Sequence, residues 1–289
     1  MAFFRPILTM FSCLTLTILT AHIFAAPPPK GGILPGSFDG NKKVWTVETT
    51  WDDTLSMRVF FDTGTYGLIM ADTLGVSRDT AIVHRLRIGK HEKEYFLFPK
   101  GNLDLMTTRN PIYSFLGIGA VAGWDFFDGK IVELSYKDHS IKLLDRIKHP
   151  KDYVRIPMKR QGNYWGIPVT IYMQGKKIEE YTMIDTGNTG LLTLNSDIAG
   201  KYGINLDEAR KGMVSTSGNA PGESRHAVPA DSLQIGGVSL GEFTLPVSFR
   251  GNGRRSPFAG LLGNPFWEKG QAILILDFKN GILYMKYNY

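Results

Sequence analysis

Hydrophobic positions along this chain come in short runs. Val44-Trp45-Thr46-Val47-Glu48 and Ile167-Pro168-Val169-Thr170-Ile171 alternate or nearly alternate with polar residues. Lys130-Ile131-Val132-Glu133-Leu134, Ile141-Lys142-Leu143-Leu144 and Ala272-Ile273-Leu274-Ile275-Leu276 are more continuously apolar. Runs of this length and period, closed by Gly, Asn or Asp, predict β-strands. Helical spacing is scarce, with Asp197 to Tyr202 and Leu206 to Lys211 as the candidate helices. The chain therefore reads as all-β.

Two of the apolar runs end alike. Met57-Arg58-Val59-Phe60-Phe61 stops on Asp62-Thr63-Gly64-Thr65, and Tyr181-Thr182-Met183-Ile184 stops on Asp185-Thr186-Gly187-Asn188, with the two aspartates 123 residues apart. One Asp-Thr-Gly after a strand is an ordinary turn, because Asp and Gly both favour turns. The match between the halves goes further. Val121-Ala122-Gly123 precedes the strand Ile131 to Leu134, a turn at Lys137-Asp138-His139-Ser140, and Ile141-Lys142-Leu143. Leu261-Leu262-Gly263 precedes the strand Ala272 to Asp277, a turn at Lys279-Asn280-Gly281, and Ile282-Leu283-Tyr284. Each half also has a strand ending in Ile-Gly, at Ile88-Gly89 and Ile235-Gly236. Self-similarity of this kind predicts a duplicated β unit. The join falls near the charged stretch Arg146 to Asp152, which gives lobes at 42–147 and 148–289, and the Pro- and Gly-rich residues 26–41 read as a linker or pro-segment.

Composition narrows the setting. The chain has 289 residues, 43% of them hydrophobic, and a formal charge of +6. The basic residues are spread out, which describes a solvated surface and no nucleic-acid partner. Residues 1–25 have the form of a signal peptide, with Arg5, an apolar stretch from Ile7 to Phe24 and a small residue at Ala25. Export to the periplasm or the medium is expected, with no membrane contact after cleavage; the alternative is an uncleaved N-terminal anchor. Cys13 is the only cysteine and lies in that stretch, so the mature chain has no disulfide and no thiol chemistry. The six histidines are scattered and form no zinc-ligand pattern, so no metal is expected. Gly117-Ile118-Gly119-Ala120-Val121-Ala122 fits a dinucleotide fingerprint by letter, but a turn and a strand follow it where a helix is needed. No cofactor is implied.

A pair of carboxyls explains the repeat chemically. Two aspartates sharing one site cannot both ionise cheaply, so the pair holds one proton. One member can then take a proton from water while the other gives one to a carbonyl oxygen. Glycine after the threonine allows close backbone approach, and a threonine hydroxyl can both donate and accept across the pair.

This arrangement resembles the aspartic proteases of the pepsin and retropepsin type over about residues 42–289. The resemblance implies a bilobal, acid-protease-like double β-barrel with pseudo-two-fold symmetry. It implies Asp62 and Asp185 as the catalytic dyad, Thr63 and Thr186 as braces between the two loops, and Gly64 and Gly187 as the turn residues. Thr65 could donate to the outer oxygen of Asp62, and Asn188 could donate to Asp185. The family closes its cleft with a hairpin flap. Only the second half has room for one between its Asp and its Ile-Gly, so the flap is expected from the second lobe. Its tip would run through Ser215-Thr216-Ser217-Gly218-Asn219, as the substrate-binding candidate, and the tyrosine carried by the pepsin flap is not evident there. The implied function is that of a monomeric aspartic endopeptidase acting on a peptide or protein substrate. The alternative is a non-catalytic peptide- or protein-binding module on the same fold.

Overall fold

The computed structural model describes residues 32–71, 82–97, 105–108, 117–206, 210–211, 224–249 and 257–288. The expected signal peptide and the expected flap tip, Ser215 to Asn219, lie outside the described residues.

Three sheets account for most of the described chain. The central one has six strands and is built by both halves. Ile131–Ser135 of the first half pairs antiparallel with Ile273–Asp277 of the second, centred on Glu133 opposite Ile275. Each of these continues into its own hairpin partner, Ser140–Leu144 and Ile282–Lys286, and each hairpin carries one further edge strand, Gly32–Ile33 and Val154–Pro157. The sheet thus has a pseudo-two-fold axis between its two central strands. These strands read as near-continuous apolar runs because both faces are covered: Val132, Leu134, Leu274, Ile275 and Leu276 are all buried.

The other two sheets curl into the lobes. The first-lobe sheet orders its strands as His91–Leu97, Ile82–Ile88, Val44–Trp51, Leu55–Asp62, Ala120–Gly123, Leu68–Ala71 and Leu105–Thr108. The second-lobe sheet runs from Arg210–Lys211 through Ser224–Ala230, Phe243–Phe249, Leu192–Asn195, Gly260–Leu262 and Lys176–Ile184 to Tyr164–Met173 and the Ser232–Leu240 hairpin. One continuous apolar core fills both lobes and the space over the shared sheet. The architecture is the bilobal, acid-protease-like double barrel that the resemblance implies.

Three local expectations change. Residues 32–39 are not linker: Gly32–Ile33 is an edge strand of the shared sheet, and Gly36–Asp39 pairs with Val44–Trp51. Leu34 and Phe38 are buried, and Phe38 packs 5.2 Å from Trp45 and 4.9 Å from Tyr136 between ring centroids. Burial of these two side chains overrides the turn signal of the neighbouring Pro and Gly. Of the helix candidates, Ser196–Lys201 forms, whereas Arg210–Lys211 is strand, paired with Ala227 and His226. A helix at Asn264–Lys269, with Pro265 in its first turn, stands where the pattern had only an apolar segment. The dinucleotide-like glycines lead into the buried strand Ala120–Gly123 and a short 3-10 turn at Trp124–Phe127.

Candidate active site

Each Asp-Thr-Gly is placed by the same three-strand device. Leu55–Asp62 runs parallel to Ala120–Gly123 with Asp62 opposite Gly123, and Leu68–Ala71 returns antiparallel along the other side of Ala120–Gly123. In the second lobe Lys176–Ile184 runs parallel to Gly260–Leu262, and Leu192–Asn195 returns antiparallel. The apolar-apolar-Gly segment is therefore wedged behind each aspartate loop. A Cβ on Gly123 would lie 2.5 Å from the Thr65 carbonyl oxygen, and one on Gly263 would lie 2.1 Å from the Gly190 carbonyl oxygen. Glycine at these two points is a packing requirement.

The loops meet across the lobe interface. The Thr63 N–H donates to Thr186 Oγ1 at 2.9 Å, and the Thr186 N–H donates to Thr63 Oγ1 at 3.0 Å. Each hydroxyl then donates onward to a carbonyl of the opposite lobe, Thr63 to Ile184 at 2.8 Å and Thr186 to Phe61 at 2.9 Å. All four bonds are buried, so each lobe supplies the partners of the other. Gly64 and Gly187 lie against the opposite carboxyl: a Cβ on Gly64 would stand 2.6 Å from Asp185 Oδ1, and one on Gly187 would stand 2.5 Å from Asp62 Oδ2.

The braced loops bring the two carboxyls together. The Gly187 N–H donates to Asp185 Oδ1 at 2.9 Å and to Asp62 Oδ1 at 3.1 Å, so one donor reaches both inner oxygens. The Gly64 N–H adds a bond to Asp62 Oδ1 at 2.7 Å. Asp185 is buried, whereas Asp62 keeps partial exposure. Burial holds the Asp185 carboxyl well above the ordinary carboxylate range, and the negative charge of Asp62 and a hydrogen bond between the two side chains add to it. The N–H groups of Gly187 and Asn188 oppose that rise.

The outer oxygens break the symmetry. Thr65 Oγ1 donates to Asp62 Oδ2 at 2.7 Å. Asn188, at the equivalent place, gives Asp185 no side-chain bond. Its amide donates to the Leu261 carbonyl at 3.2 Å, and its Oδ1 accepts the Gly190 N–H at 2.9 Å. An amide acceptor two residues before a free N–H closes an Asx turn, which competes with a bond to the carboxyl. The expected donation from the Asn188 side chain to Asp185 is therefore replaced by backbone.

The pattern of motifs did not single out Asp125. It is buried and accepts the Gly67 N–H on Oδ1 at 2.6 Å, the bond that Asn188 supplies to Gly190 in the other lobe. Lys93 pairs with its Oδ2. Gly67 in turn accepts from Gly123 at 2.8 Å, and Thr65 accepts from the Trp124 N–H at 3.1 Å, so Asp125 sets the turn that carries the Thr65 hydroxyl. The available signal was a lone acid inside the aromatic run Gly123-Trp124-Asp125-Phe126-Phe127. Trp124 itself reaches across the interface, donating from Nε1 to the Asn163 carbonyl at 2.9 Å under the Arg160 guanidinium, 4.9 Å from the ring centroid.

No protein-family model and no curated protein sequence matches this chain. Solved structures do resemble it in fold. A retropepsin-like aspartic protease from Rickettsia conorii is 20% identical with a TM-score of 0.33, over 47% of this chain and 90% of that one. An aspartic proteinase from Irpex lacteus is 12% identical with a TM-score of 0.49, over 89% of this chain and 97% of that one.

Proposed function

We propose that this protein is an aspartic endopeptidase in which Asp62 and Asp185 activate a water molecule against a peptide carbonyl. The observation that carries this reading is the single Gly187 N–H shared by two inner carboxyl oxygens, one of them on a buried acid whose proton is held far above its usual pH. Such a pair keeps one proton between two acids to a higher pH than an isolated carboxyl would. Asp185, the more buried member, carries it; Asp62, more exposed and served by the Gly64 N–H and the Thr65 hydroxyl, takes the base role.

In the forward step Asp62 accepts a proton from the water as its oxygen bonds to the carbonyl carbon. Asp185 gives its proton to the carbonyl oxygen, leaving a neutral gem-diol. Collapse returns a proton from the diol to Asp185, while Asp62 passes its proton to the leaving nitrogen. Atoms and protons balance, and the dyad ends as it began. An extended peptide is the substrate that fits a site set at the seam of two β lobes, since its backbone can pair with strand edges.

The test is cleavage of a peptide library by the wild-type protein between pH 3 and 7, read by mass spectrometry of the fragments. Specific cleavage supports the reading. Saturable peptide binding without any cleavage would move it to a binding module. Thr65→Ala adds a sharper expectation. Loss of a hydrogen bond to a charged acceptor costs about 1.5–3 kcal/mol, so kcat falls roughly 10-fold or more with KM little changed. Thr65→Ser, which keeps the hydroxyl, restores most of the rate. Equal kcat in wild type and Thr65→Ala would remove Thr65 from the site.

A further inference from the structure

The peptide unit between Thr186 and Gly187 has its N–H aimed at both carboxyls, and its carbonyl is held from behind. Asn264 Nδ2 donates to the Thr186 carbonyl at 2.7 Å and to the Lys43 carbonyl at 2.6 Å. Asn264 follows Gly263 at the start of the Asn264–Lys269 helix and is fully buried, and its own N–H donates to the Asn188 carbonyl at 3.1 Å. Its Oδ1 accepts from the Tyr136 hydroxyl of the first lobe at 2.6 Å. Burial raises the Tyr136 phenol, so it stays un-ionised and remains a donor. The amide orientation is fixed by these partners: two carbonyls face its nitrogen and one hydroxyl faces its oxygen, and a flipped amide would set oxygen against both carbonyls.

We propose that Asn264, oriented by Tyr136, is a positioning residue that fixes the plane of the Thr186–Gly187 peptide and so keeps one N–H on both carboxyls. This deepens the endopeptidase reading and rests on it for its catalytic consequence, though not for its geometry. The first lobe has a related device without this link to the dyad: Trp124, which follows Gly123 as Asn264 follows Gly263, donates to the Asn163 carbonyl of the other lobe. Lys43 and Asn163 precede matching strands in the two halves. Lys43 has φ of 58°, which is disfavoured for a residue with a side chain, and it is held at both ends, by Asn264 at its carbonyl and by Glu268 at Nζ, 2.5 Å.

Among the described residues, these charged groups act on the network or lie beside it. Asp62 acts on Asp185, and Glu268 acts on Tyr136 while paired with Lys43. Asp125 lies under the Asp62 loop, paired with Lys93. The Gly187 N–H lowers the Asp185 carboxyl toward its ordinary range, so weakening that bond extends the pH interval over which the pair keeps its proton. One hydrogen bond to a charged group corresponds to about one pH unit.

The experiment compares thermal stability from pH 3 to 9 in four proteins: wild type, Asp185→Asn, Asn264→Ala and the double variant. It needs no substrate. The difference between a protein and its Asp185→Asn counterpart reports the dyad proton, and it levels off where Asp185 has lost that proton. Positioning predicts that the plateau moves up by about one pH unit in the Asn264→Ala background. Tyr136→Phe, a milder change, moves it in the same direction and decides the matter if Asn264→Ala does not fold. If cleavage is observed, the upper limb of the pH–kcat/KM profile moves with the plateau. Uniform loss of stability at every pH, with the plateau unmoved, would reduce Asn264 to packing and overturn the proposal. A moved plateau with no cleavage by any of these proteins would keep the positioning role and overturn the endopeptidase reading.

Discussion

Asp62→Asn and Asp185→Asn each abolish peptide hydrolysis, with a drop in kcat/KM of about 10⁴-fold or more. The two changes fail for different reasons. Asp62→Asn keeps an oxygen for the Gly64 and Gly187 N–H groups but leaves no basicity with which to take a proton from water. Asp185→Asn mimics the shape of the protonated acid but has no proton to hand to the substrate oxygen. Either change breaks a cycle in which both side chains must exchange protons, so the double variant is no worse than the single ones. Rates measured with both variants on one peptide check this. Hydrolysis that survives either change at more than a few per cent of the wild-type rate would remove the dyad from the mechanism.

Gly263→Ala destabilises the fold by about 3 kcal/mol and lowers Tm by roughly 10 °C. The methyl would stand 2.1 Å from the Gly190 carbonyl oxygen and 2.3 Å from that of Asn188, and both are backbone atoms of the loop that carries Asp185. A flexible side chain could step aside, but here the loop itself must move, so activity falls along with stability. Gly241→Ala is the control, because a Cβ there has nothing within 4 Å and no left-handed backbone to oppose it. A calorimetric scan of the two variants separates a site-specific clash from a general intolerance of glycine replacement. Equal Tm values would show that the wedge behind the Asp185 loop is loose.

Much of this architecture was legible in the chain. Strand-length apolar runs, each ended by Asp-Thr-Gly and each followed by apolar-apolar-Gly, named two of the three segments that hold each loop, because period and turn chemistry are local properties; the returning strands Leu68–Ala71 and Leu192–Asn195 emerge only in the fold. The threonine brace could be expected from a hydroxyl in each copy of the motif. What local pattern could not give was the fate of polar groups whose partners come from far along the chain. Asn188 has an amide of the kind that can serve a carboxyl, but it is taken up by the Gly190 N–H and the Leu261 carbonyl. Asp125 and Asn264 sit in apolar segments where an isolated polar residue looks incidental; each turns out to satisfy backbone groups of an aspartate loop. Residues 32–39 misled in the opposite way. Their Pro and Gly suggested a free connector, yet Leu34 and Phe38 supply core contacts that only the folded sheet reveals. The expected flap at Ser215 to Asn219 lies outside the described residues.

The central claim, one proton held between two carboxyls where the lobes meet, is tested most directly by the pH dependence of stability in wild type and Asp185→Asn. Asp185 is raised in the folded state from an ordinary value of 3.8, so between that value and its folded one the native protein binds more protons than the unfolded chain. Stability supported by this group is therefore full at low pH and is lost as pH rises. The account predicts that Asp185→Asn gains on the wild type steadily from about pH 4 upward and is the more stable protein at neutral pH. Parallel curves across that range, with no gain on neutralising Asp185, would contradict it.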